Sequence, residues 1–122
     1  MEPVEPAPVL VGVEYDYLTV TSEFINCGPR CNQQAECPEG YIVDNTGYKF
    51  VELDTSDPTA ERPLGFAGRT PEIIVHNIGL LGNPPTRFTV SAYNNSPPGN
   101  GLGAKLQVTV YCRSADATLI YE

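Results

Sequence analysis

The chain has 122 residues, enough for one domain with a core, and carries a formal net charge of −8 with 41% hydrophobic and 18% charged residues. That balance excludes a disordered chain. With no Lys/Arg cluster to offset the acidity, it also excludes a nucleic-acid phosphate backbone or an anionic membrane surface as partner.

Eleven glycines and twelve prolines, spread without a repeat, predict many turns between short elements. Residues 1–8 hold three prolines and two glutamates and are expected to form an extended arm. This segment lacks the basic start and apolar core of a signal peptide. No stretch of the chain approaches the roughly eighteen apolar residues of a membrane span.

From Val9 the pattern changes. Val11, Val13, Tyr15 and Tyr17 alternate with Gly12, Glu14 and Asp16, and this period of two predicts a half-buried strand. Leu18, Val20, Phe24 and Ile25 extend or repeat it. Residues 26–40 are rich in Cys, Pro and Gly and are expected to be a loop. Tyr41-Ile42-Val43 predicts a short strand and Asp44-Asn45-Thr46-Gly47 a tight turn. Residues 48–53 then return as the hairpin partner. Residues 54–71 are expected to be a long irregular loop, Ile73-Ile74-Val75 a strand, and residues 79–85 a Gly/Pro turn.

Residues 87–93 alternate cleanly, with Phe88, Val90 and Ala92 on one face. After a second long loop at 94–103, Leu106, Val108 and Val110 alternate with Gln107, Thr109 and Tyr111. A last strand is expected over 118–121. Seven or eight short strands with no helical period predict an all-β fold, an antiparallel β-sandwich of the jelly-roll or immunoglobulin-like kind. Residues 9–122 are expected to form this single domain behind the arm. Phe88, Val90, Ala92, Leu106, Val108 and Val110 should line its interior.

Cys27, Cys31, Cys37 and Cys112 allow three pairings. The expected set is Cys27 with Cys31, a small ring over the turn-forming Gly28-Pro29, and Cys37 with Cys112, tying the loop before one strand to the end of another, with the other two pairings open. Zinc held by the four thiolates, with His76, is the alternative. Cys27-x3-Cys31 has ligand spacing for it, but Cys37 and Cys112 do not form a second close pair. Free thiols are the third option. Disulfides would place the finished protein in an oxidising environment.

Cys37-Pro38-Glu39-Gly40, Phe88-Thr89-Val90-Ser91-Ala92-Tyr93-Asn94-Asn95 and Val108-Thr109-Val110-Tyr111-Cys112 together resemble a group of secreted bacterial β-sandwich modules. Those modules open with Cys-Pro-x-Gly and close on a cysteine after a Val-x-Val-Tyr strand. The resemblance spans about residues 35–113 and implies a Cys37–Cys112 link. The chain has a single glycine, Gly47, where the group carries a Gly-Gly-Gly turn. The group has no established activity, so the resemblance implies a fold and not a function.

Chemistry is sparsely represented. His76 is the only histidine, and no Ser, Cys and acid arrangement can be placed around it by spacing. Asp54 and Asp57, beside Thr55 and Ser56, have the character of Asx-turn caps. Calcium held by them with Asp44 is the alternative. No nucleotide, zinc-protease or hydrolase motif is present. Asn94-Asn95-Ser96 has the form of a glycosylation acceptor, but Pro97 follows it. Tyr15, Tyr17, Tyr41, Tyr48, Tyr93, Tyr111 and Tyr121 offer stacking surfaces for a sugar or a protein.

The expectation is therefore a protein that is not an enzyme, with no cofactor and no metal. It should act as a structural, homo-oligomeric subunit on the exterior of a particle: a bacteriophage capsid decoration or appendage protein, located on the virion exterior or extracellularly. Its partners would be protein subunits, capsid or self, met through Val4, Val9, Val11 and Val13. A secreted bacterial binding module for a glycan or a cell-surface protein is the alternative.

Overall fold

The structure, a computed structural model, describes residues 7–53, 61–65, 71–95 and 103–122. Every regular element among them is a strand. In chain order these are β1 (Leu10–Glu14), β2 (Tyr17–Thr21), β3 (Ile25–Asn26), β4 (Arg30–Glu36), β5 (Tyr41–Glu52), β6 (Arg62–Pro63), β7 (Ile73–Gly82), β8 (Pro85–Asn94), β9 (Ala104–Ser114) and β10 (Thr118–Tyr121). All pairings are antiparallel.

Two sheets form a sandwich. The larger has the order β2-β9-β5-β6, with β3 also on β9, and the smaller has the order β4-β8-β7. Strand alternation puts Ala104, Leu106, Val108, Val110 and Cys112 of β9 opposite Phe88, Val90 and Ala92 of β8, all buried. The six residues expected in the interior are all there. Cys31 and Ala35 of β4 complete this core, and Leu18, Val20, Val43 and Phe50 pack around it.

Ten strands replace the seven or eight expected, the turn expected at 79–85 is confined to Asn83 and Pro84 between β7 and β8, and three further segments differ from the reading above. The loop expected at 26–40 contains β4. Its inward positions are Cys31, Gln33 and Ala35, in register with Ala92, Val90 and Phe88, so its buried face carries no large apolar residue. The Gln33 amide is satisfied by donating to the Glu23 carbonyl at 2.7 Å. The tight turn expected at Asp44-Asn45-Thr46-Gly47 is not a turn. β5 runs through it with a bulge at Asp44, which restores Thr46, Tyr48 and Phe50 to the face of Val43. The half-buried strand expected from Val11 to Tyr17 is broken. Asp16 uses its backbone on Ser114, and β1 leaves the sandwich.

Cys27 pairs with Cys31 and Cys37 with Cys112, with Cα separations of 4.7 and 5.8 Å. The second bond ties the segment after β4, in the small sheet, to β9 at the centre of the large one. These closed disulfides match an oxidising working environment.

Candidate interaction surface

Among the described residues β1 and β10 pair only with each other, and no other strand approaches within 8 Å of them, Cα to Cα. They form a two-stranded ribbon that continues the β2/β9 pair beyond the body of the sandwich. Its root is firmly held. Ser114 N–H donates to the Asp16 carbonyl (2.7 Å) and Ala115 N–H to the Gly40 carbonyl (2.8 Å). Asp16 N–H donates back to Ser114 Oγ at 3.0 Å. The Arg113 guanidinium lies over the Tyr15 ring, 4.3 Å from its centroid. At the far end Glu122 N–H donates to the Val9 carbonyl at 2.9 Å.

The ribbon has one apolar face, and a bulge creates it. Leu10 pairs with Tyr121 and Val13 with Leu119, while Val11 is the extra residue between Leu10 and Gly12. Tyr121 and Leu119 share a face, so the bulge moves Leu10 onto the same face as Val13. Leu10, Val13, Leu119 and Tyr121 are each about half exposed, at 50%, 50%, 49% and 52%. Val9 and Val11 are exposed beside them. Of the partner-contact residues expected from sequence, Val9, Val11 and Val13 thus lie on this ribbon. Val4 is outside the described residues.

The second feature is the outer edge of the small sheet. β7 is ten residues long, contains no charged residue and, among the described residues, pairs on one side only, with β8. Its register places Val75, Ile78 and Leu80 on the inner face, beside Ala92, Val90 and Phe88, after a bulge at His76. Val75 packs on the core. Ile78 and Leu80, at 50% and 54% exposed, overhang it, because they lie beyond the part of the small sheet that the large one covers.

The third feature is a shallow trough of about 390 Å³ across β2, β9 and β5, lined by Thr19, Thr21, Gly47, Lys49, Thr109 and Tyr111 among others. Gly47 has nothing within 4 Å of where a Cβ would stand, so it opens the floor. Lys49 is held to Glu61 at 2.9 Å, with both side chains largely exposed.

The remaining candidates are scattered. His76 is exposed at the β7 bulge with its ring 5.5 Å from that of Tyr93. Asp44 is the exposed bulge residue of β5, while Asp54 and Asp57 lie outside the described residues. The seven tyrosines do not make one platform. Tyr17 and Tyr111 share the outer face of the large sheet, Tyr121 is on the ribbon, Tyr48 lies edge-on to Phe50, and Tyr15 is under Arg113. Among the described residues no group of three His, Cys, Asp or Glu side chains could hold a metal ion, and no helix is long and apolar enough to cross a membrane. Sequence reading found part of the β1 half of the ribbon but missed Leu119 and Tyr121, which lie more than a hundred residues away in sequence. No family model, curated protein or solved structure matches the chain.

Proposed function

We propose that the protein is a structural assembly subunit without a catalytic role, working on the exterior of a particle as a phage decoration or appendage protein does. The observation that carries this reading is the terminal ribbon. The ribbon is held at its root, but among the described residues no layer packs on its one apolar face. Such a face is stabilised when a partner covers it. Two buried disulfides support a working life in an oxidising environment, and the acidic charge supports protein partners over nucleic acid.

Light scattering after size exclusion tests this on the oxidised protein over a wide concentration range. A mass that is a multiple of the single chain is expected, falling towards one chain on dilution. A single-chain mass at every concentration refutes the self-assembling subunit.

The trough favours a second reading, a secreted module that binds a glycan, since threonine hydroxyls beside an exposed tyrosine ring suit sugar hydroxyls and C–H faces. Tyr111→Ala separates the two. It should abolish glycan-array binding under the second reading and leave assembly unchanged under the first.

A further inference from the structure

We propose that the ribbon of one copy pairs with the β7 edge of the next, so that copies of this chain join head to tail. This deepens the assembly reading and rests on it. The two surfaces belong to one chain but are not placed to satisfy each other. The ribbon grows from β2 and β9, which lie over β4, whereas β7 is at the far side of the small sheet.

The sandwich edges differ in how they are guarded against strand addition. β6 is two residues long and contains Arg62 and Pro63. β4 carries Arg30 and Glu36 at its ends and the polar Asn32 and Gln34 on its outer face. β2 is held to five residues. Short strands, charges and prolines are the usual protections of an edge. β7 has ten residues, no charge and no proline, and its pairing with β8 is irregular at the bulge at His76 and again between Leu81 and Gly82, at its end. Natural monomers usually protect such an edge; among the described residues nothing pairs with its outer side, and an added strand would satisfy its outward N–H and C=O groups.

A second copy suits that edge on two further grounds. A strand in register with Ile78 and Leu80 must present apolar side chains on the same face, and the ribbon carries four that its own sandwich leaves uncovered. At a net charge of −8, copies repel one another unless their meeting surfaces avoid acid against acid. β7 itself is neutral, so an acidic ribbon meets no carboxylate within it; the one charged residue of β8, Arg87, donates to Gln34 of β4, on the side away from β7. The ribbon brings Glu14 and Glu122. Symmetric pairing of β1 with β1 about Gly12 would instead set Leu10 against Glu14 and leave the whole β7 edge exposed. A donor edge and a different acceptor edge make a heterologous contact, which closes into a ring or runs on as a filament.

The test uses two full-length oxidised variants. Leu80→Lys puts an inward-pointing charge on the acceptor edge at a half-exposed site, where lysine can reach water. Val13→Glu with Leu119→Glu sets two carboxylates directly opposite each other in the donor ribbon. The wild type should form species larger than a dimer, and each variant alone should be a single chain. Mixed one to one, they should give a species of two chains and nothing larger, because one retains its ribbon and the other its edge. If Leu80→Lys assembles like the wild type while the ribbon variant does not, the ribbons pair with each other. Head-to-tail pairing is then wrong, though assembly stands. A wild type that stays a single chain removes both. Hydrogen exchange on the wild type needs no variant. Amides of residues 78–81 should become protected as the protein is concentrated, and unchanged exchange there overturns the proposal.

Discussion

The two disulfides should differ sharply in what they contribute, and the difference follows from the chain they enclose. Cys37 and Cys112 are 75 residues apart, and a loop of that length removes entropy from the unfolded chain worth about 4.5 kcal/mol. Cys27 and Cys31 are 4 residues apart, and the same relation gives about 1.9 kcal/mol. All four cysteines are buried, so replacing either pair with alanine leaves comparable small voids. The gap of about 2.6 kcal/mol between the two double variants therefore reports loop length. A chain of 122 residues is expected to be stable by about 6–18 kcal/mol, so losing the long link removes a large share. Urea unfolding measures this. Cys37→Ala with Cys112→Ala should lower the midpoint far more than Cys27→Ala with Cys31→Ala. It should also raise the slope m, because the unfolded chain is no longer held in a closed loop. Equal losses, or a larger loss from the short pair, would refute the entropic reasoning.

Val90→Asp and Val108→Asp each bury an unpaired carboxylate at positions that are 0% exposed, so soluble folded protein should be lost; a normal melt of either would show that these residues are not inside. Gly82→Ala should destabilise by about 1–3 kcal/mol in thermal melts, because φ at Gly82 is +105° and a Cβ would stand 2.9 Å from the Pro84 carbonyl oxygen. An unchanged melting temperature would contradict that turn. Val13→Glu with Leu119→Glu should abolish assembly yet move the stability of the sandwich by no more than about 0.5 kcal/mol, and loss of folding would mean that the ribbon belongs to the core.

What the sequence made legible was the inner faces of β8 and β9, where large apolar residues alternate without interruption through Phe88, Val90 and Ala92 and through Leu106, Val108 and Val110. Local pattern and tertiary burial agree there, so periodicity sufficed. β4 was illegible because its inner face is Cys31, Gln33 and Ala35. Its strand character comes from seven backbone pairings with β8, which no local pattern announces. The turn expected at residues 44–47 fails for a related reason. Asp, Asn, Thr and Gly favour turns in isolation, but a bulge absorbs the extra residue and β9 holds both sides of it in one ladder. The open β7 edge was half legible. Ile73, Ile74 and Val75 signalled a strand, whereas its continuation through His76 and Asn77 to Leu81 breaks alternation at the bulge. That the strand ends a sheet is a matter of topology, which the residues of the strand do not encode.

The candidate surface depends on the ribbon being stiff, and three consecutive residues of β9 provide for this. Cys112 points inward and is bonded to Cys37, Arg113 lies over Tyr15, and Ser114 exchanges hydrogen bonds with Asp16. Ser114 Oγ also donates to the Asp116 carbonyl at 2.9 Å, which sets the turn into β10. A spur fixed in this way has already met the ordering entropy that a flexible tail would meet on binding, about 1–2 kcal/mol for each residue held. Ser114→Ala removes the two side-chain hydrogen bonds and leaves the apolar face and the β7 edge untouched. Both bonds are exposed, so folding stability should fall by no more than about 1 kcal/mol. If one further residue must then be ordered on association, the assembly constant should drop about tenfold, since 1.4 kcal/mol is a factor of ten. Sedimentation equilibrium of the wild type and Ser114→Ala measures that ratio directly. Equal constants would mean that the ribbon is held by its partner and not by its root.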